Sequence, residues 1–176
     1  MNSMNTNTVQ NKFPITLFVY GTLKTGYWNF ERYCRNAVNI KPATVWGRLW
    51  QLPAGYPAIE VPEASILAHG TDGPVADALT QERLADTFAD LCKPEGDWDL
   101  VHGEIMTFFD PEHDLPPIDR LEGFSPVREA MYKRALVPAC LDVNILPIWL
   151  YYKDDLNQGV RLSSGEWNRQ TAEMIG

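Results

Sequence analysis

Ile15, Leu17 and Val19 alternate with Thr16, Phe18 and Tyr20 before Gly21 stops the run, which predicts a strand covered on both faces. The period then changes. Phe30, Tyr33, Cys34 and Ala37 recur at i, i+3, i+4 and i+7, predicting a short helix over residues 30–36 with Asn29 as its cap. Two-residue alternation returns over 43–52, ends in the turn sequence Pro53-Ala54-Gly55-Tyr56-Pro57, and resumes as a short strand at 58–61. Residues 62–99 differ. They open with Gly and Pro and lead into 80–91, where Leu84, Phe88 and Leu91 share a helical face, so a helical insertion into a β core is expected.

A further strand is expected over 100–109, closed by Asp110-Pro111. Pro116-Pro117 suit the first turn of a short helix carrying Ile118 and Leu121, and Gly123 stands where a left-handed C-terminal residue is wanted. Residues 131–139 and 144–152 predict two more strands, which Pro138 and Pro147 confine to edges or strand starts. Ser163 and Glu166 form a capping-box pattern that opens a last helix. About six strands with short connections and four short helices, in no regular βαβα order, predict an α+β fold. Its sheet would be mixed, mainly antiparallel, and able to curl into a small β-barrel with peripheral helices.

Composition adds limits. A chain of 176 residues that is 45 % hydrophobic can build a core without staples, so one domain over 13–176 is expected, preceded by a polar, disordered tail at 1–12. Fifteen Lys and Arg against 23 Asp and Glu give a net charge of −8, which disfavours nucleic acid and anionic membranes as partners. Cys34, Cys92 and Cys140 are too few and too scattered for a disulfide framework or a zinc ribbon. With no apolar run long enough for a leader or a membrane span, the expectation is a cytoplasmic protein, monomeric or homodimeric.

Candidate chemistry is sparse. The loop Gly21-Thr22-Leu23-Lys24-Thr25-Gly26 has the glycine spacing of a P-loop, but Tyr27-Trp28 stand where Lys and Ser or Thr would reach phosphates and Mg²⁺. Its backbone N–H groups could still hold a carboxylate or an oxyanion, although a structural turn is the commoner use of such a loop. Glu122 closes an apolar-faced turn beside Gly123, which allows a close approach, yet by position alone it is one carboxylate among 23. Asp110, Glu112, Asp114 and Asp119 lack EF-hand spacing, and His69, His102 and His113 lie in no metal-binding arrangement, so no metal is expected. No G-x-S-x-G elbow is present. Trp46, Trp50, Trp149, Tyr151 and Tyr152 fall at strand spacing and read as core or cleft wall.

In order along the chain, these segments resemble the γ-glutamylcyclotransferase superfamily, most closely its γ-glutamylamine cyclotransferase and AIG2-like branch. The resemblance rests on Phe18-Val19-Tyr20-Gly21-Thr22-Leu23-Lys24-Thr25-Gly26 with Asn29, on Gly47-Arg48-Leu49-Trp50, and on Leu52-Pro53-Ala54-Gly55-Tyr56-Pro57-Ala58. It continues through Val101-His102-Gly103-Glu104-Ile105, Ile118-Asp119-Arg120-Leu121-Glu122-Gly123-Phe124, Tyr132-Lys133-Arg134 and Ser164-Gly165-Glu166-Trp167, where Glu replaces the usual Asp. It implies a small mixed barrel flanked by helices. It also implies that a γ-glutamyl substrate closes to 5-oxoproline and expels an amine or amino acid, without a cofactor. Glu122 would be the catalytic acid and base, and Tyr20, Gly21, Thr22, Leu23 and Tyr132 would bind substrate. A non-catalytic binding module on the same fold is the alternative from another class. A biosynthetic enzyme that removes a γ-glutamyl protecting group from a larger metabolite would share the chemistry and differ in its leaving group.

Overall fold

The computed structural model describes residues 13–87 and 92–173. Its first strand, β1 (Ile15–Val19), pairs antiparallel with β5 (Asp99–Phe108) and parallel with β7 (Asn144–Tyr152), the Leu17–Trp149 register marking the parallel contact. β5 continues into the long β2 (Val38–Gln51), β7 into β6 (Lys133–Leu141), and the pairing of Thr44 in β2 with Cys140 in β6 closes a mixed barrel. Outside this ring β3 (Pro57–Glu60) and β8 (Val160–Arg161) pair with β2, and β4 (Ala68–His69) pairs with β6.

Alternation along β1 explains why both of its faces are apolar. Ile15, Leu17 and Val19 join Trp149, Phe108 and Met106 in a core beneath the helices, with Leu115 and Ile118 of α3 (Pro111–Glu122) and Ala78 of α2 (Pro74–Leu84). Phe18 and Tyr20 point the other way, into a core of Val45, Leu49, Ile105, Val137, Ile148 and Leu150 that fills the barrel. Each buried aliphatic chain contributes about 2 kcal/mol of transfer free energy. One strand thus serves two cores, and its register leaves little freedom for the loop that follows.

Several elements depart from the sequence expectation. The helix expected over 80–91 runs instead over α2, with Pro74 in its first turn and Gly73 before it. Its buried face is largely polar, Asp77, Ala78 and Gln81, so an apolar periodicity could not find it. Leu84 packs on the core, while Phe88 and Leu91 lie outside the described residues, as do residues 1–12. The helix expected at Pro116 starts at Pro111, and Pro116 and Pro117 lie inside it. The carbonyls they cannot satisfy belong to the exposed Glu112 and His113, which are open to solvent.

Pro138 and Pro147 face each other within the β6–β7 ladder rather than at an edge or strand start. Each sits where its strand's other partner is interrupted. Pro138 falls between the β4 partner Leu136 and the β2 partner Cys140, and the Pro147 carbonyl accepts Gln81 Nε2 at 2.8 Å. The last helix, α4 (Arg169–Glu173), begins after Ser163-Glu166, and its cap is Asn168, whose Oδ1 accepts the Thr171 N–H at 3.0 Å. Between β1 and β2, α1 (Phe30–Tyr33) has Asn29 at its N-cap position without a capping bond, because that side chain is used by the preceding loop. β2 begins five residues earlier than its apolar alternation, through a bulge between Val38 and Lys41 with Asn39 at φ 52°. β4 and β8, two residues each, are too short to show a period.

Candidate functional site

The loop after β1 is shaped by its own short-range bonds. Lys24 N–H donates to the Gly21 carbonyl at 3.1 Å, Tyr27 N–H to the Lys24 carbonyl at 3.1 Å, and Asn29 N–H to the Thr22 carbonyl at 3.2 Å. Asn29 Nδ2 also donates to Thr22 Oγ1 at 2.9 Å, and the Thr25 N–H reaches Glu104 of β5 at 2.8 Å. The N–H groups of Gly21, Thr22 and Leu23 have no protein acceptor among the described residues. Gly21 is dictated by contact: a Cβ there would stand 2.6 Å from Pro57 Cγ, so this position admits no side chain while Pro57 stays in place.

These residues form one side of a cavity of about 440 Å³ lined by residues 18–23, 28–29, 54–57, 121–122, 131–132 and Tyr151. Every residue marked by the sequence, Tyr20, Gly21, Thr22, Leu23, Glu122 and Tyr132, lies on this one lining. The two tyrosines line it with rings rather than free hydroxyls. Tyr20 Oη donates to the Tyr151 carbonyl at 2.8 Å and accepts the Ile59 N–H at 3.3 Å, and Tyr132 Oη donates to the Pro57 carbonyl at 3.0 Å. Burial raises both phenols above their ordinary range, so they stay neutral and act as braces between barrel and loop.

Glu122 is the last residue of α3. Gly123 then turns into the left-handed region at φ 62°, and Phe124 N–H returns to the Asp119 carbonyl at 2.9 Å, a helix stop that glycine makes without strain. The half-buried Glu122 carboxyl has no hydrogen bond or ion pair among the described residues. Burial, and then the charge of Asp119, push its pKa from 4.5 to about 7. Its position at the helix C-terminus acts in the same direction.

Asp119 belongs to a buried ionic cluster. Arg134 of β6, 1 % exposed, donates to the carboxylates of Asp119 and Asp77, the latter at 2.5 Å, and to the Thr71 carbonyl at 2.8 Å. Tyr151 Oη donates to Asp119 at 2.6 Å, and the Phe124 ring lies 4.3 Å from the guanidinium carbon. One cation against two carboxylates leaves a net negative charge beside Glu122, which favours its protonated form. Cys34, also near, is pushed up to about 12 by burial and then by Glu122, Asp114 and Glu104, so it offers no thiolate at neutral pH.

The acidic residues near α3 are dispersed rather than clustered. Asp114 is buried against Asn36 and His113 at 2.9 Å each, and Asp119 is held by Arg134. No group of three His, Cys, Asp or Glu suited to a metal ion occurs among the described residues. Sequence reasoning missed Trp28, Met131 and the Asp77–Arg134–Asp119 cluster. A signal existed for the last: Arg134 opens an apolar alternation, where a strand pattern calls for a partner carboxylate.

A small closed barrel, a backbone-lined loop at the end of its first strand and a lone carboxyl across the same cavity define a protein of the cyclotransferase fold class. Residues 17–82 and 71–169 match the family described as Gamma-glutamyl cyclotransferase, AIG2-like, and the chain belongs to that family. Among solved structures it resembles YkqA from Bacillus subtilis, at 21 % identity and a TM-score of 0.54, over 92 % of this chain and 42 % of that one. It thus spans less than half the length of YkqA, and the likeness is one of fold. An AIG2-like protein from Mus musculus matches at 16 % identity and a TM-score of 0.45, covering 88 % of each chain. A search of curated proteins gave no match.

Proposed function

We propose that the protein is a γ-glutamylcyclotransferase acting on γ-glutamyl amides, with Glu122 as general base and then general acid. The observation that carries this reading is the unpaired Glu122 carboxyl, raised to about 7, on the lining it shares with the unsatisfied N–H groups of Gly21, Thr22 and Leu23. The substrate's α-ammonium is not nucleophilic. Ionised Glu122 takes its proton, and the freed nitrogen pair attacks the γ-carbonyl carbon, forming the ring C–N bond and moving the carbonyl pair onto oxygen. Protonated Glu122 then gives the proton to the leaving nitrogen, the oxyanion pair re-forms the carbonyl as the old amide C–N bond breaks, and the second proton of the ring nitrogen passes through Glu122 to the expelled amine, so that 5-oxoproline and an ammonium product result. A carboxyl near 7 suits both halves of this cycle at neutral pH.

The loop N–H groups are the donors available to the substrate carboxylate or to the developing oxyanion, where one such donor is typically worth about 3 kcal/mol. Holding amine and carbonyl together in one pocket supplies much of the remaining acceleration. The test is 5-oxoproline release from a panel of γ-glutamyl amides by wild type and Glu122→Gln. The reading expects release by wild type and a loss of about 10²–10⁴-fold in the variant. Full activity in Glu122→Gln, or binding without release by wild type, would overturn it, the second outcome in favour of a non-catalytic module.

A further inference from the structure

We infer that the group expelled at this site is an amine with an apolar body and no carboxylate of its own. The inference rests on the reading that the cavity takes a γ-glutamyl amide, and it concerns the half of the substrate which that reading leaves open. Among the described residues that line the cavity, Glu122 is the one carboxyl, and no Lys, Arg or His is present. A leaving amino acid or peptide would bring a second carboxylate to a wall that offers it no cation and sets Glu122 against it.

The wall offers apolar surface instead. Trp28 lines the cavity while 58 % exposed, and Met131 does so at 54 %. Solvent exposure of two such large apolar side chains on one cavity is a feature of a binding surface rather than of a core. Trp28 is also held in place. It stands edge-on to the fully buried Trp167 at 6.0 Å between ring centroids, and the next residue, Asn29, ties the loop to Thr22 through both backbone and side chain. Met131 is fixed by its N–H bond to the Gly123 carbonyl at 3.2 Å, immediately beyond Glu122. An apolar body attached to the scissile nitrogen therefore meets a preformed surface next to the acid that protonates that nitrogen. The nearby Lys153 stands behind the wall and does not line the cavity: its Nζ donates to the Met131 carbonyl at 3.0 Å and lies 5.4 Å from the Tyr132 ring centroid.

The test compares γ-glutamyl-benzylamide with γ-glutamyl-phenylalanine, whose leaving groups share the phenyl ring and differ by one carboxylate and one chain carbon, by calorimetric binding to Glu122→Gln. Binding of the benzylamide about tenfold tighter is expected. In the same background Trp28→Ala should weaken the benzylamide about tenfold and change γ-glutamyl-methylamide less than about twofold, and Met131→Lys should tighten γ-glutamyl-phenylalanine about fivefold. Equal or tighter binding of γ-glutamyl-phenylalanine to the parent variant, no binding of either compound, or indifference of the benzylamide to Trp28→Ala would overturn the inference. Failure of wild type to release 5-oxoproline from either compound would instead overturn the enzymatic reading, with the binding preference intact.

Discussion

Glu122→Gln is expected to make the protein more stable, and only above a certain pH. The carboxyl titrates near 4.5 when exposed and near about 7 in the folded protein, through burial and then Asp119. The folded state therefore holds this proton more tightly than the unfolded chain does. Its stabilising contribution is complete below about pH 4.5, declines as the pH rises, and is gone once the pH passes about 7, where folding keeps an ionised group in a site that disfavours it. At 1.36 kcal/mol per pH unit, the interval from 4.5 to about 7 corresponds to about 3 kcal/mol. This is an upper figure, because the carboxyl opens onto a solvent-reachable cavity. Gln does not titrate, so the variant avoids the penalty. For a chain of this size about 3 kcal/mol corresponds to roughly 6–12 °C in Tm. Thermal unfolding of both proteins from about pH 4.5 to about pH 8.5 measures it, since the titrating groups remote from Glu122 are common to both and cancel in the difference. The gap should open with rising pH and level off above about 7. A gap that is flat across this range would refute the account of Glu122.

Other consequences can be checked independently. With ionised Glu122 as the base, kcat/KM for 5-oxoproline release should fall about tenfold per pH unit below about 7, and an acid limb near 4.5 would place the base elsewhere. Asp119→Asn removes the second cause of the raised value and frees more of the Arg134 charge, so the acid limb should move toward lower pH; an unmoved limb contradicts the coupling. Arg134→Met leaves Asp77 and Asp119 without their cation and should cost about 3–5 kcal/mol in denaturant unfolding. Gly21→Ala drives a Cβ into Pro57, and should cost about 1–3 kcal/mol and lower turnover by displacing the loop; wild-type stability and turnover would show that Pro57 yields freely.

What could be read from the sequence followed what repeats. β1, β3, β5 and β7 lie close to their expected bounds because each has one or two apolar faces that recur every second residue. α2 departs from its expected bounds because its inward face is Asp77 and Gln81, whose burial depends on Arg134, Thr16 and Pro147, all distant in sequence, in addition to the neighbouring Thr71. Pro138 and Pro147 depart from the expected edges and strand starts for a related reason. A proline's cost depends on which neighbouring strand is present at that residue, and no local pattern carries that. The candidate site was legible as ordered motifs, and the fold adds that they share one cavity. Trp28 and Met131 had no such signal, since a large exposed side chain becomes informative only when the cavity it borders is known.

The pairing of β1 has a consequence for the timing of synthesis. Both neighbours of this strand come late: its ladder with β5 begins at Glu104, and its contact with β7 is at Trp149. As the chain leaves the ribosome, β1 and its glycine-bounded loop must wait, unpaired and apolar, until β5 has emerged, and the other edge of β1 stays open until β7 follows. Loop-closure entropy over such separations makes this a slow, late step. Products truncated before β7 would therefore expose β1 as an open edge, prone to association with other chains.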